Sequence, residues 1–208
     1  MNTKKLQNKE AKKQHILEAA IRVFAKHGFQ NTSVSQVARE ANVADGTIYL
    51  YFKNKNELLV SIFDEAMRFF EAQAEESLNH LKTAPEKLAM LAQLHLRNLG
   101  ENEDIATVFQ VELRHSIRIM QKFSQTSLKK YLKLMEEIFI QGQKEGTIRP
   151  DLDTWIAVKV FFGALDEMTT GWILSKRNYA LEDMARPVIE MLLQGMAPCR
   201  DHNKKVEP

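Results

Sequence analysis

Apolar positions recur along most of the chain at three- and four-residue steps. Ile16, Ala20, Val23, Phe24 and His27 fall on one face of a helix, and Gly28 directly after them fits the residue that closes a helix C-terminus. Ser33-Val-Ser-Gln36 has the form of a capping box, and Asn54-Lys-Asn-Glu57 and Thr83-Ala-Pro-Glu86 have it more loosely. After Asn54, the residues Leu58, Leu59, Ile62, Phe63, Ala66, Met67 and Phe70 predict one long amphipathic helix. Further helices are predicted over about 85–98, 103–120, 123–145, 153–175 and 181–196. The stretch Gly146 to Asp153 breaks the pattern, and Asp153 can cap the next helix. No alternating strand pattern of useful length appears, so the expected fold class is all-α.

Residues 33–57 carry the most information. A short helix over 34–41 would bury Val34, Val37, Ala38 and Ala41. The turn Asn42-Val43-Ala44 comes next, with Asn42 tolerant of a positive φ and Val43 placed to plug the angle. A second short helix is predicted from about Asp45 to Phe52. Two short helices on a tight turn are the helix-turn-helix arrangement, whose second helix enters the DNA major groove. Gly46 stands where a helix former would be better by ~1 kcal/mol, which makes sense if the backbone must come close to something. Thr47, Tyr49 and Tyr51 add hydroxyls beside the inward-facing Ile48 and Phe52, and Lys53 and Lys55 stand just beyond, where phosphates would lie. A small helical bundle with tyrosines at its rim is the plainer account.

Charge sharpens this division. The chain of 208 residues has a formal net charge of +2. Residues 1–56 carry ten Lys/Arg against four Asp/Glu, and residues 57–208 carry nineteen against twenty-three. A basic head of +6 on a body of −4 suits two different partners, the first a polyanion. Five of the ten basic residues lie within residues 4–13, so a solvated lysine-rich tail explains the charge equally well. At 44% hydrophobic residues, with only 8 Gly and 5 Pro, neither a disordered chain nor a turn-rich β protein is expected. The start lacks the apolar core of a secretory signal, no apolar run approaches ~18 residues, and Cys199 has no second cysteine to pair with. These features lead us to expect a cytoplasmic protein with no membrane partner. No Gly-x-Ser-x-Gly, phosphate loop or His-Glu-x-x-His is present, so no enzyme is expected.

Val-Ala-Asp-Gly-Thr-Ile-Tyr-Leu-Tyr-Phe-Lys-Asn-Lys (43–55) resembles the signature of TetR-type repressors, and Ile-Leu-Glu-Ala-Ala-Ile-Arg-Val-Phe-Ala-Lys-His-Gly-Phe (16–29) resembles their first helix. The resemblance implies a three-helix DNA-binding domain, here residues 1–56, and a helical ligand-binding and dimerisation domain, here 57–208. It implies that Gly46, Thr47, Tyr49, Tyr51 and Lys55 contact DNA, and Ser33, Gln36 and Lys53 join them as candidates. Asp45 departs from the basic or neutral residue common there. It is either a specificity determinant that accepts from a cytosine amine or a favourable charge at a helix N-terminus.

Gln-Val-Glu-Leu-Arg-His-Ser (110–116) and Phe-Gly-Ala-Leu-Asp-Glu-Met-Thr-Thr-Gly-Trp (162–172) are similar to the acyl-CoA-responsive fatty-acid-degradation regulators of Gram-positive bacteria. This implies a homodimer on a palindromic operator that a long-chain acyl-CoA releases, with no other cofactor and no metal. Eight of the eleven Phe and eight of the nine Met lie after residue 56. Phe109, Leu113, Phe123, Met135, Phe139, Phe162 and Leu165 could line an acyl tunnel, although each also suits an ordinary core. Arg114 and Arg118, one turn apart, could hold phosphates or serve as surface ion pairs. Asp166 and Glu167 interrupt an apolar stretch and need partners. With Trp172 they also admit a rival ligand, a cationic drug or small aromatic. Trp172, Ile173, Leu181, Val188, Met191 and Leu192 are the expected apolar faces of the last two helices, which family members pair across the dimer axis.

Overall fold

The computed structural model describes residues 2–112, 121, 127–175 and 179–198. All the regular structure among the described residues is helical. The first helix, α1 (Asn2–His27), runs well ahead of the periodic segment. Its inner face buries Ile16, Leu17, Ala20, Val23 and Phe24. It ends where Gly28 adopts φ 78° and donates its N–H to the Phe24 carbonyl at 2.8 Å.

Helix α2 (Val34–Glu40) starts from a complete capping box between Ser33 and Gln36. Asn42 takes φ 49° in the turn, and Val43 donates its N–H back to the Ala38 carbonyl. Helix α3 (Asp45–Tyr49) is shorter than the periodicity suggests, because its last turn tightens to three-residue hydrogen bonds at Leu50 and Tyr51. Ile48 and Phe52 are buried beneath it, and Phe29 packs edge-on to Phe24 at 5.2 Å.

Helix α4 (Lys55–Leu78) begins at an Asn54 cap and carries Leu58, Leu59, Ile62, Phe63, Met67 and Phe70 into the core. It runs unbroken from the head into the body. Helix α5 (Ala84–Gly100) starts from the Thr83–Glu86 capping box. Helix α6 (Glu103–Thr107) passes directly into a π-helix, Val108–Glu112. That is a departure from the regular helix predicted over 103–120, whose remainder lies outside the described residues. Helix α7 (Ser127–Glu145) approaches α5 closely at Gly142, where a Cβ would stand 2.5 Å from the Ile148 side chain and 3.0 Å from Ala84. Asp153 caps α8 (Thr154–Ser175) by accepting from Ile156 N–H at 3.1 Å. A 3₁₀ turn, Leu181–Met184, leads into α9 (Ala185–Met196). Helices α4, α5, α7 and α8 pack around one core, α9 covers α5, and α1 lies on α4 and α6.

The outer faces of the last two helices differ from expectation. Leu181 and Val188 are buried within the chain. The apolar side chains left exposed there are Trp155, Ile156, Val160 and Leu174 of α8 and Met191 of α9.

Candidate nucleic-acid interface and ligand cavity

The head presents α3 at its surface. Tyr49 is 57% exposed and Leu50 77% exposed. Thr47 is half-buried, and Tyr51 is half-buried against the core beside Phe52. Gly46 is exposed, has no positive φ, and a Cβ added to it would meet nothing within 4 Å. Nothing inside the protein therefore requires glycine at this position. Leu50 is not evident as a surface residue from the sequence, because an apolar side chain in a short helix looks like core until the helix is oriented.

The structure gives several candidates other work. Ser33 and Gln36 are occupied in the capping box: the Ser33 hydroxyl accepts from Gln36 N–H and the Gln36 side chain accepts from Ser33 N–H. Asp45 accepts a hydrogen bond from the Ser35 hydroxyl and so ties α3 to α2. Its carboxylate also sits in the first turn of α3, where negative charge is favourable. Lys53 has an exposed side chain.

Lys55 corrects the expectation of a free ammonium at the phosphates. Its Nζ donates to the carbonyls of Phe29 (2.6 Å), Thr32 (2.8 Å) and Gln30 (3.3 Å), which uses all three of its protons. It also stands 4.4 Å from the Phe29 ring centre. Desolvation pulls its pKa below the usual lysine value, and the Glu112 carboxylate opposes that shift. Lys55 thus pins the α1–α2 connection to the start of α4. Glu112 is itself buried, on the π-helix, and its Oε1 would lie 3.4 Å from a Cβ at Gly28.

A cavity of about 500 Å³ lies between the head and the body. Gln14, Leu17 and Ile21 of α1 form one side, and α4 contributes Ile62, Glu65, Ala66, Met67, Phe69 and Phe70. Asn98, Leu99, Glu101, Asn102 and Ile105 border it, and His95, Gln110, Leu128, Tyr131 and Asp166 complete the wall with Phe109 and Phe162. Of the candidate ligand residues, Phe109 and Phe162 do line the cavity. Met135, Phe139 and Leu165 do not: each is fully buried in the helix core, with Phe139 edge-on to Phe161 at 6.0 Å. Leu113, Arg114, Arg118 and Phe123 lie outside the described residues.

Polar groups in the wall are largely held in place. Gln110 donates to Asp166 at 2.9 Å and accepts from the Thr170 hydroxyl at 3.0 Å. His95 Nδ1 is 3.1 Å from the Tyr131 hydroxyl, and burial lowers the His95 pKa to about 4 although Asp166 opposes the shift. The imidazole is therefore neutral at cellular pH. Burial raises the Tyr131 pKa well above its usual value, so the phenol keeps its proton.

Comparison with known proteins places this architecture. Residues 16–62 match the family of bacterial regulatory proteins, tetR family, and residues 63–195 match the C-terminal region of YsiA-like proteins. The chain belongs to the TetR family of transcriptional regulators. It is 38% identical over 200 residues to the fatty acid metabolism regulator protein of Bacillus subtilis, which covers 96% of this chain and 100% of that one. A crystal structure of the transcriptional regulator FadR from Bacillus subtilis in complex with stearoyl-CoA superposes with a TM-score of 0.84 at 38% identity, covering 88% of this chain and 98% of that one. The fatty acid degradation regulator FadR from Bacillus halodurans gives 0.83 at 38% identity, with the same coverage. For this TetR-family regulator, then, α2 and α3 are the helix-turn-helix, and the match to the C-terminal region begins within α4, at residue 63.

Proposed function

We propose that the protein is a dimeric transcriptional repressor that binds a palindromic operator and is released by a long-chain acyl-CoA, so controlling fatty-acid degradation genes. The observation that carries the ligand half is the cavity. It is mostly apolar, and at about 500 Å³ it has room for on the order of sixteen methylenes, each about the size of a water molecule at ~30 Å³. That is a long acyl chain. The relatives named for fatty acid regulation, one of them solved with stearoyl-CoA, support the same reading.

The cavity also suggests how release works. Leu17 and Ile21 belong to the helix that supports the head, and Ile62 to Phe70 belong to the helix that joins head and body. A ligand there touches both. It shifts the head only by binding the DNA-incompetent arrangement more tightly than the competent one. In DNA recognition Gly46, Thr47, Tyr49, Tyr51 and Lys53 are assigned to the operator, with Lys55 supporting them from behind. One short recognition helix reads few bases, so two, about 34 Å apart, are needed. The exposed stripe of Ile156, Val160 and Leu174, with Met191, is the face we assign to the dimer. No catalytic role is assigned to any residue.

In a gel shift with the operator, palmitoyl-CoA should dissociate the complex. A complex that survives saturating palmitoyl-CoA would sink the ligand assignment. A second reading keeps the repressor and changes the ligand. Glu65, Glu101 and Asp166 border a cavity rich in aromatic rings, which suits a cationic drug. Isothermal titration against palmitoyl-CoA and a panel of cationic dyes separates the two.

A further inference from the structure

Leu50 is the most exposed large apolar side chain among the described residues, at 77%. Most of the others lie in regions with a role already assigned. Trp155, Ile156, Val160, Leu174 and Met191 belong to the outer faces of α8 and α9, and Phe69 borders the large cavity. Leu50 belongs to the head and follows the last residue of α3 directly. A single exposed leucine needs no explanation on most surfaces. This one stands on the surface that the operator reading turns towards DNA, where water must be displaced from it.

Its backbone continues the helical turn, with φ −72° and ψ −20°, and its N–H donates to the Thr47 carbonyl at 3.2 Å. Leu50 is therefore one turn on from Gly46 and shares its face, while Ile48 and Phe52 take the buried side. No side chain, that of Leu50 included, comes within 4 Å of where a Gly46 Cβ would stand. The face thus offers bare backbone and then an apolar group. In the major groove the base edges present hydrogen-bonding groups, with one large apolar exception, the C5-methyl of thymine. Leucine can donate and accept nothing, so of the base edges that methyl is its match. An arginine reaches a base from a distance, whereas a leucine ends two carbons beyond Cβ. The helix backbone must then come close, which Gly46 permits. The fold requires neither the glycine nor the exposed leucine, and each accounts for the other.

Resting on the operator reading above, we propose that Leu50 is a specificity-determining residue that reads thymine. Its side chain packs on the C5-methyl of one thymine in each half-site, with the Gly46 backbone giving the close approach. Any other base at that place puts a polar edge or a bare C5–H against the leucine, and a polar edge covered by an apolar group loses its partner.

The operator is first obtained with the full chain, by selection from a randomised DNA duplex library. Each thymine is then replaced in turn by deoxyuridine at symmetric places in both half-sites, which removes the methyl and keeps every hydrogen-bonding group. At one place wild-type affinity should fall by about fourfold per half-site, roughly fifteenfold for the pair, the value of a buried methyl. Leu50→Ala should bind the thymine operator about tenfold or more less tightly, and should respond to that replacement by less than about twofold. Because the side chain is exposed, Tm should stay within about 2 °C and affinity for non-specific DNA within about twofold. A wild type indifferent to deoxyuridine at every place would overturn the assignment. So would a methyl dependence that survives Leu50→Ala, which would then belong to Thr47, Tyr49 or the stiffness of the duplex. Enrichment of no sequence from the library would overturn the operator reading itself, and this assignment with it.

Discussion

Replacing Gly46 by alanine should make the protein more stable and a poorer repressor. Gly46 sits in the first turn of α3, its φ is not positive, and an added Cβ meets nothing within 4 Å. The substitution therefore brings no clash. It removes the entropy cost of glycine in a helix, about 0.5–1 kcal/mol. In a chain of this size that raises Tm by roughly 1–4 °C. At the DNA surface the same methyl group is an obstacle, because it stands where the backbone of the recognition helix would approach the duplex. Operator affinity should fall by about tenfold or more, equivalent to ~1.4 kcal/mol. Differential scanning fluorimetry measures the first effect, and fluorescence anisotropy on the operator measures the second. Binding to non-specific DNA should change less, since it rests on phosphate charge. An operator affinity that stays within about twofold in Gly46→Ala would refute the close approach. A drop in Tm would refute the other half, because then something in the folded protein did require the glycine.

Lys53 and Lys55, two residues apart, should behave differently. Lys53→Ala should flatten the dependence of log K on log salt by about one unit per protomer, whereas Lys55→Met should leave that slope alone and lower stability by about 2–3 kcal/mol through its lost carbonyl bonds. A slope change in Lys55→Met would restore that residue to the phosphates. His95 should make the fold acid-sensitive. Its folded pKa of about 4 lies below the ordinary 6.5, so its contribution is complete above pH ~6.5 and is lost as pH falls from there towards 4, up to ~3 kcal/mol. Urea midpoints between pH 7.5 and 4.5 should fall less in His95→Phe than in wild type, and parallel curves would contradict this. Glu112→Gln keeps the side-chain volume but removes the charge facing Lys55. Palmitoyl-CoA affinity should hold while its effect on operator affinity shrinks by about fivefold, as ~1 kcal/mol of coupling is lost; an unchanged effect would remove Glu112 from the coupling.

Local rules make much of the fold legible in the sequence. The Ser33–Gln36 and Thr83–Glu86 boxes, the positive φ of Asn42 and Gly28, and the Asp153 cap are each fixed by a residue and its near neighbours. Contacts between distant segments are not legible in the same way. Lys55 reads as a phosphate lysine because the carbonyls that hold it come from residues 23 to 26 positions earlier. Phe109 and Phe162 line the cavity while Met135, Phe139 and Leu165 fill the core, although all five have the same apolar character. Helix offset decides between them, and no periodicity encodes it. The same holds for Leu181 and Val188, which face inwards, and for Trp155 and Ile156, which do not.

The π-helix offers the proposed ligand a second route to the head. The sequence pattern points to only one, the long helix beginning after Asn54 that joins the two domains. A regular helix through 108–112 would turn 100° per residue and spread its side chains evenly around the axis. The wider π turn instead leaves Phe109 and Gln110 in the cavity wall and brings Glu112 to the Lys55 ammonium and the end of α1. Phe109 packs edge-on to Phe63 of α4 at 4.6 Å, and Gln110 is tied to Asp166 and Thr170 of α8. One five-residue segment therefore touches the cavity, the joining helix and the head's own anchor. A ligand that displaces Phe109 must disturb either the Phe63 contact or the placement of Glu112. Both lead to the start of α4, where the Lys55 bonds hold the α1–α2 connection beneath the recognition helix. If the proposed acyl-CoA fills this cavity, the head is open to its influence from two sides, directly along α1 and α4 and through the π-helix, and blocking one route should weaken induction without abolishing it.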